Sequence, residues 1–291
     1  MERNVSGSFR IPGAGLLGED RYIRTRDGRW LRTMVSGTAD DLVVLEAGLG
    51  FSGLYWEPVQ RLLSPHVRVV AYDRSGFGGS APDPQPRTLD RLAADLVDVV
   101  RAYPHRRLIL VGHSWGGPIV RTAAQSLRVD GLVLVDPTDE HADLYYEEGS
   151  ETLQRLSAGL IPVLARLGLL GIALRAMGVD LPGAVRAALA RSIGTADAAA
   201  ATVSELSDLQ TDLRALLESG WGLEGVPARL LSGVLTGPGE GESRQVLIAA
   251  HRQTARTNPS VTFVEATGSS HLVPVTEPQL VAQQVRELLG D

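Results

Sequence analysis

The chain has 291 residues, 44% of them hydrophobic and 21% charged, with a formal net charge of −6. That length and mix suit one large globular domain with room for an inserted subdomain, and exclude a disordered chain. No run of Lys or Arg offers an electrostatic footprint for nucleic acid, and the absence of Cys excludes disulfides, thiolate metal sites and Cys nucleophiles.

The stretch Met1–Arg26 is polar and holds no apolar segment, so no signal peptide is expected there. Arg21–Ser36 predicts a hairpin, with Asp27-Gly28 as the turn between two mixed strands. Three short apolar runs follow, Leu42–Glu46, Val67–Asp73 and Arg107–Gly112. Each leads through a loop into a helical pattern, and such β-branched runs suit buried parallel strands. After the second run, Leu89, Leu92, Ala93, Leu96, Val99 and Val100 share one helical face. Gly131–Asp136 is a fourth run of the same kind.

Residues 138–225 predict helix without a convincing strand. Within them Leu156–Met177 is the most apolar stretch of the chain. Pro162, Arg166, Gly168, Gly171 and Arg175 interrupt it, so it predicts one or two apolar helices rather than a membrane span of ~20 uncharged residues. A cytoplasmic location is the corresponding expectation. The run Ala198–Ala201 is the one low-complexity tract, and there are no internal repeats. Strand patterns resume at Ala228–Ser232 and Val261–Ala266. A final helix is predicted from Thr276 and Gln279 as a capping box, Pro278 in the first turn, and the stripe Val281, Val285, Leu288, Leu289.

Strands alternating with helices imply a parallel sheet covered on both faces. The expected division is a core of residues 1–137 and 226–291, with 138–225 as a helical cap over the carboxyl edge of the sheet, where ligands bind.

Gly112-His113-Ser114-Trp115-Gly116 fits the pattern G-x-S-x-G. Its context is the informative part, because it follows an apolar strand and precedes a helical pattern, as a nucleophile elbow requires. Ser114 is the candidate nucleophile. A serine hydroxyl needs a base, and there are six His. His113 should point away from its neighbour Ser114. His66 and His105 precede strands, His251 sits in a helical pattern, and His141 opens the inserted region. His271 follows the last strand through Thr267-Gly268-Ser269-Ser270, at the carboxyl edge, and is the candidate base.

Two strand ends offer the carboxylate that orients the imidazole. One is Asp136. The other is the loop after Ala228–Ser232, whose acids are Glu240 and Glu242. Asp136 is favoured, with a helix-cap or turn role before Pro137 as its bland alternative. For an oxyanion hole, the Trp115 N–H is one candidate donor, and the loop Ala47-Gly48-Leu49-Gly50-Phe51-Ser52-Gly53 supplies a second or simply makes a tight turn. His141 with Asp139, Glu140 and Asp143 reads as a solvated acidic turn rather than a metal site, since only one His is present. Gly76-Phe77-Gly78-Gly79 has neither dinucleotide nor ATP-binding spacing.

The sequence resembles the α/β-hydrolase superfamily, especially its esterase, lipase and epoxide-hydrolase-like branch with a helical cap. The resemblance rests on five pieces in the family's order. They are Leu45-Glu46-Ala47-Gly48-Leu49-Gly50, the segment from Tyr72 to Ser80, Gly112-His113-Ser114-Trp115-Gly116-Gly117, Leu132-Val133-Leu134-Val135-Asp136-Pro137, and Gly268-Ser269-Ser270-His271. It implies an eight-stranded, mostly parallel sheet, Ser114 as nucleophile, His271 as base, and the Trp115 and Leu49 N–H groups in the oxyanion hole. Two departures stand out. Ala47-Gly48 after Glu46 replaces the His-Gly of many relatives. The usual acid position after the seventh strand lacks Asp, while Asp136 matches a rarer position at the end of the sixth.

The expected activity is cofactor-free hydrolysis of a small or medium hydrophobic carboxylic ester by a Ser-His-Asp triad. Alternatives are perhydrolysis, C–C bond hydrolysis or acyl transfer on the same triad, or a catalytically inactive ligand-binding relative. A serine at the elbow argues against epoxide hydrolase and haloalkane dehalogenase chemistry.

Overall fold

The computed structural model describes residues 11–147, 160, 163, 166, 167, 169–236 and 241–290. Among them are eight strands: β1 (Glu19–Arg24), β2 (Trp30–Ser36), β3 (Leu42–Glu46), β4 (Arg68–Tyr72), β5 (Leu108–His113), β6 (Gly131–Val135), β7 (Ala228–Gly233) and β8 (Val261–Ala266). The helices are α1 (Glu57–Leu63), α2 (Leu89–Arg101), α3 (Gly116–Ala124), α4 (Leu170–Ala176), α5 (Gly183–Ile193), α6 (Ala196–Ser219), α7 (Gly241–Thr257), α8 (Val273–Thr276) and α9 (Pro278–Leu289).

The strands form one sheet in the order β1-β2-β4-β3-β5-β6-β7-β8. β1 pairs antiparallel with β2, and β2 antiparallel with β4. Every other pairing is parallel. The sheet is therefore the eight-stranded, mostly parallel one expected.

Alternation along the strands explains why the central ones read as unbroken apolar runs. Leu42, Val44, Leu108, Leu110, Leu132 and Leu134 face one side, where α2 and α3 add Leu92, Leu96, Val99, Ile119 and Val120. Val43, Leu45, Ile109, Val111, Val133 and Val135 face the other, where α1 and α9 add Val59, Leu63, Val281, Val285 and Leu289. Both faces are buried, so a polar residue on them, such as Glu46 at the end of β3, needs a buried partner.

Between β6 and β7 the chain runs through a 3-10 turn (Asp143–Tyr145), α4, α5 and α6. Among the described residues these helices add their buried side chains to the two clusters of the sheet. Leu206, Leu209, Leu213 and Leu216 of α6 join the first cluster. Leu174, Val185, Leu189 and Ala198 join the second. Of the apolar stretch Leu156–Met177, α4 covers Leu170–Ala176, and most of the remainder lies outside the described residues. No helix among the described residues is long and apolar enough to cross a membrane.

The expected capping box at the C-terminal helix does not form. Thr276 ends the short helix α8, and its hydroxyl bonds Leu272 O at 3.0 Å and the Ser269 hydroxyl at 2.5 Å. The N-cap of α9 is Glu277, with no side-chain cap bond. A local pattern yielded here to the turn that precedes it.

The inserted helix α6 grips the start of α2. Asp212 Oδ2 accepts the Leu89 N–H at 2.8 Å, and Ser204 Oγ accepts the Arg87 N–H at 3.2 Å. Burial pushes the Asp212 carboxyl up to about 6, against the pull of the Leu89 N–H and with repulsion from Asp208 and Asp90 adding to the rise. Its protonated form stabilises the fold below the ordinary carboxyl value of 3.8, and that contribution fades as pH rises through about 6. Asp212→Asn keeps an acceptor for Leu89 without the charge. It should raise Tm at pH 8 and leave it nearly unchanged at pH 4. A Tm difference of the same size at both pH values would show that ionisation of Asp212 is not the cause.

Candidate active site

The turn from β5 into α3 is set by sterics. A Cβ at Gly112 would stand 2.2 Å from Gly116 O, so only glycine lets strand and helix approach this closely. Between them Ser114 takes φ 53°, and Asp136 at the end of the neighbouring β6 takes φ 42°. Among the described residues these are the two non-glycine positions with positive φ. Such strain persists only where surrounding contacts enforce it. Here Ser114 N donates to Val135 O at 3.1 Å, while Ser114 O accepts from Gly117 N at 2.9 Å and Thr138 N at 3.0 Å. The elbow is stapled to the end of β6.

Asp136 is fully buried. Its Oδ1 accepts the Gly233 N–H from the end of β7 at 2.9 Å. Its Oδ2 accepts from Arg244 Nη1 of α7 at 2.8 Å and meets His271 Nδ1 at 2.7 Å. Burial by itself pushes such a carboxyl up, toward the neutral form. The His271 hydrogen bond and the charges of His271, His251 and Arg244 outweigh it and hold Asp136 well below the usual carboxylate range. Facing a carboxylate, Nδ1 of His271 carries the hydrogen, which leaves the Nε2 lone pair free. Nε2 has no hydrogen-bond partner among the described residues, and the side chain is 41% exposed. No hydrogen bond joins Ser114 Oγ to His271. Such bonds often close only on a bound substrate. A cavity of about 180 Å³ lined by Leu144, Tyr145, Ser243, Arg244, Leu247 and His271 adjoins the imidazole.

The loop after β3 passes directly over the elbow, since a Cβ at Gly48 would stand 3.1 Å from Ser114 Cβ. The Trp115 N–H belongs to the N-cap of α3, where the helix itself provides no acceptor. Neither it nor the Leu49 N–H donates to an acceptor among the described residues.

His113 is buried, and its ring stacks on that of Tyr55 with the centroids 5.2 Å apart. Its Nε2 donates to His271 O at 2.9 Å, and its ring stands 4.8 Å from that of His271. His251 is also buried, with Nε2 donating to Pro137 O and Nδ1 accepting from Ser232 Oγ, both at 2.8 Å. His66 and His105 precede β4 and β5 as expected. Glu242 is exposed in the first turn of α7, and Glu240 lies outside the described residues.

The segment Asp139-Glu140-His141 is not the solvated turn expected. Asp139 and Glu140 are buried, and their side-chain donor atoms lie within 4.8 Å of each other and of a His141 ring nitrogen. The reason is pairing. Arg121 takes both Glu140 oxygens at 2.7 and 2.8 Å, and Asp139 accepts from the His141 N–H at 3.0 Å and the Thr254 hydroxyl at 2.7 Å. Asp143 alone of the group is exposed.

Two groups escaped the sequence reading. Arg244 lies in a helix without any local signal for its contact with Asp136. Glu46 did carry a signal, because a carboxylate in an apolar strand requires a buried partner. That partner is Arg74, at 2.7 Å, which in turn meets Glu205 of α6.

The His113 bond makes a signed prediction. Burial, then repulsion from His271 and Arg244, brings the His113 imidazole down to about 3. It is neutral in the fold, while the unfolded chain takes up a proton below pH 6.5. Wild-type stability therefore falls as pH drops from 6.5 toward 3. His113→Phe loses the bond to His271 O and should cost about 1–3 kcal/mol at pH 7.5. At pH 5 the penalty should shrink by about 2 kcal/mol, because the variant lacks that protonation. Urea unfolding at the two pH values measures both; an unchanged penalty would contradict a neutral buried imidazole.

Comparison with known proteins agrees with this architecture. The family model described as the alpha/beta hydrolase family matches residues 42–284. A protein of Yersinia enterocolitica provisionally named carbamate hydrolase RutD is 44% identical over 78 residues, covering 26% of this chain and 28% of that protein. The chain thus spans well under half of the length of that relative. A protein of Gibberella zeae named AB hydrolase superfamily protein is 27% identical over 288 residues, covering 85% of this chain and 86% of its own. A thermophilic esterase from Thermogutta terrifontis superposes with a TM-score of 0.67 at 22% identity, over 94% of this chain and 98% of that one. At that identity the likeness concerns the fold alone. With the elbow, the sheet order and the match over residues 42–284 together, this chain belongs to the alpha/beta hydrolase family.

Proposed function

We propose that this hydrolase is a serine esterase acting on small or medium hydrophobic carboxylic esters, with Ser114, His271 and Asp136 as its triad. The observation that carries the reading is the 2.7 Å contact of His271 Nδ1 with a buried Asp136, which turns Nε2 toward the edge where the Ser114 elbow opens. In this reading Ser114 Oγ attacks the ester carbonyl while His271 Nε2 takes its proton. The oxyanion of the tetrahedral adduct accepts from the Trp115 and Leu49 N–H groups. Collapse of the adduct breaks the C–O bond, and His271 returns the proton to the departing alkoxide. Water, deprotonated by His271, then cleaves the acyl-Ser114 ester and frees the acid. Asp136 keeps the imidazole in the required tautomer and stabilises its charged form. Leu144, Tyr145 and Leu247 beside His271 suit a hydrophobic substrate group, and α4, α5 and α6 act as the cap over this edge.

The likeness to the RutD relative favours a second reading, in which the scissile carbonyl belongs to a carbamate. The same triad serves both. A panel of 4-nitrophenyl esters of increasing chain length, run beside matched carbamates, separates them by kcat/KM.

Wild type should be labelled at Ser114 by a fluorophosphonate, and Ser114→Ala should be unlabelled and inactive. Asp136→Asn should lower kcat by about 10⁴, the cost of a wrong tautomer in a well-studied triad. Full esterase activity in Ser114→Ala would refute the nucleophile. A large loss in Glu242→Gln with none in Asp136→Asn would refute the acid.

A further inference from the structure

Arg74, just beyond β4, is 2% exposed and uses all of its donors. Nη1 reaches Glu46 Oε1 at 2.7 Å and Ala47 O at 2.6 Å. Nη2 reaches Gly48 O at 2.9 Å and Glu205 Oε2 at 2.9 Å, and Nε reaches Glu205 Oε1 at 3.0 Å. A guanidinium has five N–H bonds, and all five have an acceptor here. Two of these acceptors are consecutive carbonyls of the loop that lies against Ser114.

The choice of acceptors matters because of peptide geometry. In a trans peptide the C=O and the following N–H point in opposite directions. Holding Gly48 O on Arg74 therefore turns the Leu49 N–H to the side away from Arg74. The loop cannot fix that plane by itself, because Gly48 and Gly50 on either side of Leu49 have the widest conformational freedom of any residue. A charged donor on the carbonyl also polarises the peptide and strengthens its N–H as a donor. The other half of the guanidinium is held by Glu205, which comes from the inserted helix α6, and which Arg87 also binds, at 2.9 and 3.1 Å.

We propose that Arg74 is a positioning residue for the oxyanion loop, and that Glu205 ties the orientation of that loop to the seating of α6. The inference rests on the serine-hydrolase reading above. It makes the inserted helices part of the machinery that aims the Leu49 N–H, beyond any role in covering substrate.

The test compares Arg74→Lys and Glu205→Gln with Arg87→Met, each checked for folding by circular dichroism. A lysine ammonium cannot span two carbonyls and two carboxylates. Arg87→Met disrupts the same buried cluster but leaves the five bonds of Arg74 in place. With a 4-nitrophenyl ester, Arg74→Lys should lower kcat about tenfold or more while KM stays within about threefold, the signature of a contact made in the transition state. Affinity for a trifluoromethyl ketone, whose adduct with Ser114 carries the oxyanion, should fall by the same factor as kcat/KM. Glu205→Gln should fall in the same direction and carries the test if Arg74→Lys is unfolded. Arg87→Met should lower Tm and keep kcat within about twofold of wild type. Wild-type kcat and ketone affinity in a folded Arg74→Lys would overturn the proposal, as would an equal loss in Arg87→Met. Both leave the esterase reading standing. Equal activity in wild type and Ser114→Ala would overturn that reading, and this proposal with it.

Discussion

A carboxylate removed from water must have its lone pairs satisfied or it will not remain charged. Asp136 meets that condition with groups from three different places in the chain, and its backbone adds a fourth tie. Gly233 N–H comes from the end of β7, Arg244 from α7, His271 from the loop after β8, and the Asp136 N–H itself bonds Leu231 O at 2.7 Å. One buried charge thus fixes the relative positions of three strand ends and a helix. The strained φ of Asp136 is tolerated because those bonds over-determine it. Ser114 shares in this rigidity, since its N–H is bonded to Val135 O, one residue before Asp136.

A second buried charge system secures the inserted helices. Arg74, Arg87, Glu46 and Glu205 are all 2% exposed or less and carry no net charge as a group. Buried ion pairs of this kind are weak evidence for stability, because desolvation offsets most of the attraction, yet removing a single partner costs about 3–5 kcal/mol. Their value is in specificity of placement. Apolar packing would let α6 slide along the sheet face, as one leucine contact resembles the next. Charge pairing at Glu205, with Ser204 beside it and Asp212 two turns on, favours one register.

The legible parts of the fold were those set by neighbours in sequence. Apolar runs buried on both faces announced β3 to β7 to within a residue or two, a strand pattern announced the edge strand β8, and the helical stripe of Leu89 to Val100 announced α2. The elbow was legible because tight sterics demand glycine at Gly112 and Gly116. His271 was legible from chain order, since a loop after a parallel strand falls at the carboxyl edge. What escaped was long-range pairing. Nothing near Arg244 or Glu205 in the sequence points to Asp136 or Arg74, which lie more than a hundred positions away. The acidic turn at Asp139-Glu140 was misjudged for the same reason, its partner being Arg121 on α3. The missing capping box at Thr276 is the opposite failure, a correct local motif displaced by a competing turn.

The place of the buried carboxylate Asp136 fits the crowding at the end of β7. A side chain at Gly233 would run within 1.7 Å of Ser270 O, because the loop that carries His271 crosses directly over that strand end. The close crossing brings the imidazole down toward the sheet, within reach of β6, and uses the space that an acidic side chain at the end of β7 would fill. What the β7 end supplies instead is a backbone N–H, donated to Asp136 Oδ1. An acid on β6 and a bare glycine on β7 are therefore two halves of one arrangement. A side chain at Gly233 would demand that the His271 loop lift away, which would also strain the bond from His113 to His271 O. The backbone of this chain thus leaves room for the carboxylate of the proposed triad at the end of β6 and none for one at Gly233.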